Sequence, residues 1–294
     1  MAGQLKEVRN RIKSIQNTQQ ITKAMKMVSA AKLRRAQDAI IQMRPYAQKL
    51  QEVLSNIVSS SEGDLGNSLA VDRPIEKVLL IAITSDRGLA GAYNANVIKL
   101  TKATIKEKYS SQFAKGTVSI WAIGKKGYEH FAKNNYNVSG TYKDIFLQLS
   151  FEHVQAAAQA AVKGFGDKEF DAVEIVYSQF RNAATQNFVV EKFLPIPKVQ
   201  RKAGAAKADF IFEPGKDELI AELMPKILNT QLYKAVLDAN ASEHGARMTA
   251  MDKATDNAGE LLKALKLSYN QARQAAITTE LTEIVSGAAA LSAE

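Results

Sequence analysis

The last quarter of the chain constrains the fold more than any other stretch. From Lys226 to Leu291 there is no proline, and apolar residues recur every three or four positions. They are Ile227, Leu228, Leu232, Val236, Met248, Met251, Leu261, Leu265, Ala272, Ile277, Leu281, Ile284 and Leu291. This spacing predicts one long helix with one apolar stripe. At about 1.5 Å per residue such a helix is roughly 100 Å long, much longer than a small domain is wide. A rod of that length needs a partner of similar length to cover its stripe. Residues 1–58 read as that partner: Leu5, Val8, Ile12 and Ile15, then Met43, Ala47, Leu50, Leu54 and Ile57, step by three and four as seam positions of a coiled coil do. Between them, QNTQQITKAMKMVSAAK is more polar. Either this stretch faces another protein, or Gln and Thr occupy seam positions there. Pro45 and Pro225 predict kinks, the second near Leu223, and Asp217 is placed to cap the start of the C-terminal helix.

Charge supports the pairing. Residues 1–58 carry 11 basic and 3 acidic side chains, while residues 209–294 carry 8 and 13. The two helical ends therefore have opposite sign, as elements that lie together would. The whole chain has a formal charge of +9, which also admits a basic scaffold for nucleic acid as an alternative reading. Cysteine is absent, which excludes disulfides, thiolate metal sites and thiol nucleophiles. The opening MAGQLKEVRNRIK has no apolar core and is not expected to act as a signal peptide. The longest fully apolar run, Val78–Ile83, is too short to span a bilayer, so no direct membrane insertion is expected.

A polar linker, residues 59–73, separates the first helix from a different pattern. KVLLIAIT (77–84), GTVSIWAI (116–123), FDAVEIVY (170–177) and FVVEKFL (188–194) read as strands, with YNVSG (136–140) as a possible short one. Helical stretches alternate with them at 94–109, 124–134 and 151–164. That alternation predicts an α/β domain with a mainly parallel sheet. Pro195 and Pro197 end it, residues 200–208 read as a second linker, and 210–212 as a last strand or an extended lead-in. The fold class is thus α/β plus a long helical coiled coil, in which antiparallel N- and C-terminal helices flank an inserted Rossmann-like α/β domain. The expected divisions are residues 1–58, 75–199 and 209–294.

Neither glycine-bearing loop amounts to a nucleotide site. SDRGLAG (85–91) follows the first strand, but it lacks the three-glycine dinucleotide pattern, and no P-loop occurs anywhere. A tight, closely packed turn is the expected role. GKKG (124–127) suits an anion or an RNA backbone, or simply a basic turn, and the turn is the plainer reading. No carboxylate pair or histidine constellation has a catalytic spacing, and no metal or cofactor is expected. In Ala275–Leu291 only Glu280 and Glu283 are charged. A helix apolar on all sides is buried on all sides. The tip is therefore expected inside a sleeve of other subunits, the alternative being a frayed, alanine-rich end.

Three stretches carry a family resemblance. IKSIQNTQQITKAMKMVSAAKLRRAQ (12–37) resembles the N-terminal signature of the gamma subunits of F-type ATP synthases. SEHGARMTAMDKATDNA (242–258) and YNQARQAAITTELTEIVSG (269–287) resemble the C-terminal one, and SDRGLAGAYN (85–94) the family's conserved loop. The resemblance implies a rotary shaft without catalysis of its own, its tip inside a hexamer of alternating alpha and beta subunits. It implies a foot that rests, with an epsilon subunit, on the membrane c-ring. The expected location is peripheral, on the cytoplasmic side of the cell (inner) membrane, as in bacteria. Carried over position by position, Met25 matches a residue facing a beta-subunit loop and Arg247 an arginine involved in coupling. Gln274, Thr278 and Glu280 match polar contacts to the catalytic subunits near the tip. The chloroplast type's regulatory cysteine pair is absent, so that redox switch is excluded.

Overall fold

The computed structural model describes residues 2–60, 69, 73–140, 142–183, 185–196 and 216–292. Two very long helices occupy the ends: α1 (Ala2–Ser60) and α6 (Lys216–Ser292). Between them lie β1 (Val78–Ile83), α2 (Tyr93–Lys108), α3 (Ser110–Ala114), β2 (Val118–Ile123), α4 (Lys125–Lys133), α5 (Phe151–Gly166), β3 (Ala172–Phe180) and β4 (Gln186–Leu194). Both helices continue through their prolines, Pro45 and Pro225, without interruption. Asp217 lies inside the first turn of α6 rather than before it. The suggested strand at 136–140 is a single parallel bridge between Val138 and Ile120. The stretches 200–208 and 210–212 lie outside the described residues. The chain divides into two compact units, residues 1–29 with 248–294, and residues 30–247.

In the first unit, the contacts between α1 and α6 establish direction. Arg9 donates to the Tyr269 hydroxyl at 2.8 Å, the Thr22 and Thr255 hydroxyls share a hydrogen bond of 2.8 Å, and Lys26 forms a close ion pair with Asp252. The residue numbers of each pair add to 277 or 278, which requires antiparallel helices in one register. Positions 5, 8, 12, 15, 19, 22, 26 and 29 of α1 are buried or half-buried at a three-four heptad spacing, with Met25 half-buried beside them. The polar stretch therefore continues the seam with polar side chains. Gln19 Nε2 reaches the Thr255 carbonyl at 3.4 Å, and the missing side chain of Gly259 leaves room for it. Such pairs specify register at some cost in stability.

On α6 the seam runs through Met251, Thr255, Ala258, Leu262, Leu265, Tyr269, Ala272 and Ala276. This corrects the stripe read from sequence. Leu261 is 40% exposed where its neighbour Leu262 is 7%, and Ile277, Leu281 and Ile284 lie outside. The seam selects small and polar residues that match those of α1, and the bulky residues are left on the other faces. The register also opposes Ala2 to Ala276, so among the described residues α6 has no partner helix from there to Ser292. Lys26 and Asp252 are 41% and 47% exposed, so their attraction is largely screened. Lys26→Ala is expected to lower the unfolding free energy by less than about 1 kcal/mol in a urea titration.

The second unit is a three-layer α/β arrangement around a sheet ordered β2-β1-β3-β4. β1 pairs in parallel with both β2 and β3, and β4 pairs antiparallel with β3 as an edge strand. Alternation along β1 sorts the two faces. Leu79, Ile81 and Ile83 pack with Ala157, Ala161 and Phe165 of α5 and with Leu228, Leu232 and Val236 of α6. Val78, Leu80 and Ala82 pack with Ile105 of α2 and Phe131 of α4. Both faces are covered, as the continuous apolar run of β1 requires. Within β3, Glu174 is buried but pairs with Lys108 at 2.9 Å, so the sheet carries no lone charge there. The linker before β1 is anchored at Arg73, which pairs with Asp171 at 2.9 Å and stacks on Phe165.

Candidate coupling site

The candidate site in the second unit lies at the C-terminal ends of β1 and β3, where the loop 85–91 meets α6. The loop is tight because Leu89 and Gly91 have φ of +64° and +57°. Asn94 Oδ1 accepts from the Ser85 backbone N–H at 2.9 Å, pinning the loop's start. Asp86 Oδ1 accepts from the Lys125 N–H at 3.2 Å, so a carboxylate already occupies the N-terminus of α4. The GKKG turn thus has its anion from within the chain. Its glycines are required by packing. A Cβ on Gly124 would lie 2.4 Å from the Thr84 carbonyl oxygen, and one on Gly127 2.7 Å from Thr84 Oγ1.

Helix α6 approaches this loop closely. Tyr93 donates to the Ala239 carbonyl at 3.1 Å, and Ser242 to the Ser178 carbonyl at 3.1 Å. Tyr93, Val176 and Ala246 share one apolar cluster. Gly245 allows the β3–β4 turn to come close, since a Cβ there would lie 3.1 Å from the Ala183 backbone. Arg247 then reaches into the loop. Its Nη2 donates to the carbonyls of Arg87 at 3.0 Å and Gly88 at 3.3 Å, while Nη1 forms a close ion pair with Glu243. Arg247 and Glu243 are both buried. Burial pushes the Glu243 carboxyl up, and Arg247 opposes that shift.

Two more buried titratable groups lie along the same stretch of α6. Burial, with Arg247 and Lys32 nearby, lowers the His244 imidazole to about 4, so it is neutral at pH 7 and its 3.9 Å approach to Glu243 is not an ion pair. Burial raises the Asp238 carboxyl to about 6, opposed by Lys234 and Arg44 and aided by Glu191. Their contributions to stability have opposite slopes. Between pH 6.5 and about 4 the unfolded chain binds a proton that folded His244 refuses, so stability falls as the pH falls. Between about 6 and 3.8 folded Asp238 binds a proton that the unfolded chain lacks, so stability rises as the pH falls. The two oppose each other in the parent chain. Relative to it, Asp238→Asn should lose up to about 1.4 kcal/mol per pH unit on acidification through this window, and His244→Gln should gain on the same scale. Urea midpoints at pH 4.5, 5.5 and 6.5 check both signs.

The other expected site residues do not converge. Met25 is half-buried on α1, and Gln274, Thr278 and Glu280 are exposed on α6, more than 20 residues beyond the position that faces Met25. Gln274 and Thr278 share a face, and Thr278 Oγ1 donates to the Gln274 carbonyl at 3.0 Å. Beyond Ala276, Ile277, Leu281, Ile284 and Val285 are 49–67% exposed. Among the described residues there is no cluster of potential metal ligands, and no helix is long and apolar enough to cross a membrane. Sequence reasoning missed Glu243 and Gly245 beside Arg247. Glu243 at i−4 from an arginine was a visible signal, but its burial was not.

Comparison with known proteins agrees with this architecture. A family model described as ATP synthase matches residues 4–291. The ATP synthase gamma chain of Cytophaga hutchinsonii is 52% identical over 290 residues, covering 98% of each chain. That of Flavobacterium johnsoniae is 53% identical over 287 residues, with the same coverage. A chain in the mitochondrial ATP synthase of Euglena gracilis (OSCP/F1/c-ring, rotational state 3) has the same fold, with a TM-score of 0.70 at 22% identity, covering 99% of this chain and 95% of that one. The nucleic-acid alternative finds no support among these relatives. With a matching family model over nearly its whole length and relatives above 50% identity end to end, this chain belongs to the ATP synthase gamma-chain family.

Proposed function

We propose that this chain is the central-stalk subunit of a bacterial F-type ATP synthase and has no catalysis of its own. Its two long helices serve as the shaft, divided functionally into residues 1–58 and 209–294, and the α/β domain at 75–199 serves toward the foot. The alpha and beta subunits surround the tip, while an epsilon subunit and the c-ring bind the foot. The complex lies on the cytoplasmic side of the cell membrane, and this chain neither inserts into the bilayer nor binds nucleic acid or a cofactor. The observation that carries this reading is the lone end of α6. Large apolar side chains exposed on an unpaired helix call for a surrounding apolar surface.

A single asymmetric shaft in a threefold ring presents a different face to each catalytic subunit. Differential contact stabilises a different conformation, and so a different nucleotide affinity, at each one. Rotation permutes the three. Met25, Gln274, Thr278 and Glu280 are the contacts to the catalytic subunits in this reading, and Arg247 belongs to the same coupling path. Reconstitution with purified alpha and beta subunits tests it. One copy should join three of each and restore cooperative ATP hydrolysis; a mixture that stays unassembled, with the chain folded, contradicts it.

A further inference from the structure

We infer that Arg247 acts in coupling from within its own chain. Together with Glu243 it fastens the loop 85–91 to α6, so that the exposed tip Arg87–Gly88–Leu89 moves with the helix as one rigid piece. The inference rests on the central-stalk reading above and deepens it. Arg247 is only 8% exposed, and its two terminal nitrogens are engaged by Glu243 and by the Arg87 and Gly88 carbonyls. A guanidinium so placed has little surface left for a carboxylate on another subunit. What faces outward instead is the loop it holds: Leu89 is 65% exposed and sits in the left-handed region at φ +64°, a conformation that a leucine keeps only when its surroundings impose it. Other anchors hold the loop to its own domain, Asp86 to the Lys125 N–H and Ser85 to Asn94. Arg247 carries two hydrogen bonds from α6 to the loop.

Two carbonyls and a carboxylate around one planar fork is a task for arginine. Lysine keeps the charge but cannot reach all three acceptors at once. Glu243, buried and one turn back, fixes the guanidinium's orientation and balances its charge. Both are positioning residues, acting through the loop they hold.

The test uses the full-length chain, free and assembled with its partner subunits, carrying Arg247→Gln, Arg247→Lys or Glu243→Gln. Amide hydrogen exchange is read at residues 85–94, with the central strands as reference. Proton pumping per ATP hydrolysed is read in membrane vesicles. The expected result is at least tenfold faster exchange confined to 85–94 in all three variants, free and assembled. Pumping per ATP should fall by half or more in Arg247→Gln and by less in Arg247→Lys. The inference is overturned if pumping falls while loop exchange stays within twofold of the parent, which assigns Arg247 to direct contact. It is also overturned if exchange rises equally across the central strands, or if the loop loosens and pumping is unchanged. Failure of the parent chain to join the catalytic subunits would instead remove the central-stalk reading and leave the exchange result standing.

Discussion

Replacing Leu281, Ile284 and Val285 together with aspartate is expected to leave the isolated chain as stable as the parent but to weaken its assembly with the catalytic subunits at least a hundredfold. The three side chains are 57%, 67% and 66% exposed and lie beyond the last α6 position that α1 can oppose. Surface substitutions of this kind shift folding by no more than about 0.5 kcal/mol. Within an apolar sleeve the same carboxylates would each be buried without a partner, at several kcal/mol apiece. A hundredfold loss is about 2.8 kcal/mol, so even partial burial of one carboxylate suffices. Sedimentation of the reconstituted complex across a dilution series gives the number. Undiminished assembly would mean that the tip stays in water, and the exposed apolar residues would then lack a function.

The second large effect lies in the fold that presents the loop 85–91. Gly124→Val should lower stability by about 3 kcal/mol or more, in two parts. The backbone there has φ +95° and ψ 139°, a region essentially reserved for glycine, which costs a side chain about 1–3 kcal/mol. Its Cβ would also meet the Thr84 carbonyl oxygen at 2.4 Å, and overpacking of a rigid neighbour adds about 1–3 kcal/mol. Thr84 cannot withdraw freely, because its N–H is bonded to the Ile123 carbonyl at 2.8 Å. Gly116→Ala is the control: φ is +72° but nothing lies within 4 Å, so only the conformational cost of about 1–2 kcal/mol applies. Trp121, the single tryptophan, is buried in the same sheet, and its fluorescence follows unfolding of this unit. Equal losses in the two variants would show that Thr84 yields.

The long helices and the strands were legible because their signals are periodic and local. KVLLIAIT and GTVSIWAI announce buried strands by composition alone. The seam was legible on α1, where Leu5, Val8, Ile12 and Ile15 mark it, and misread on α6. There Leu261 and Leu262 are adjacent and equally apolar, and only the partner's register decides which faces inward. A single helix carries no record of its partner's phase. Thr22 and Gln19 were ambiguous for the same reason, because their partners Thr255 and Gly259 lie more than 230 residues away. At the candidate site, Arg247 stood out through its surrounding motif. Its acceptors did not, since backbone carbonyls leave no trace in the residue types that carry them. The glycines of GKKG looked like an anion cradle because the same residue type serves close approach to phosphate and close approach to Thr84.

As the central-stalk subunit, this chain is expected to turn inside its complex. The most direct measurement fixes the catalytic hexamer to a surface and attaches a bead to a cysteine introduced at Lys106, on the exposed face of α2 in a chain with no other cysteine. On addition of ATP the bead should rotate in one direction with pauses about 120° apart, the step set by a threefold ring. ATP hydrolysis at full rate with the bead stationary would contradict the account.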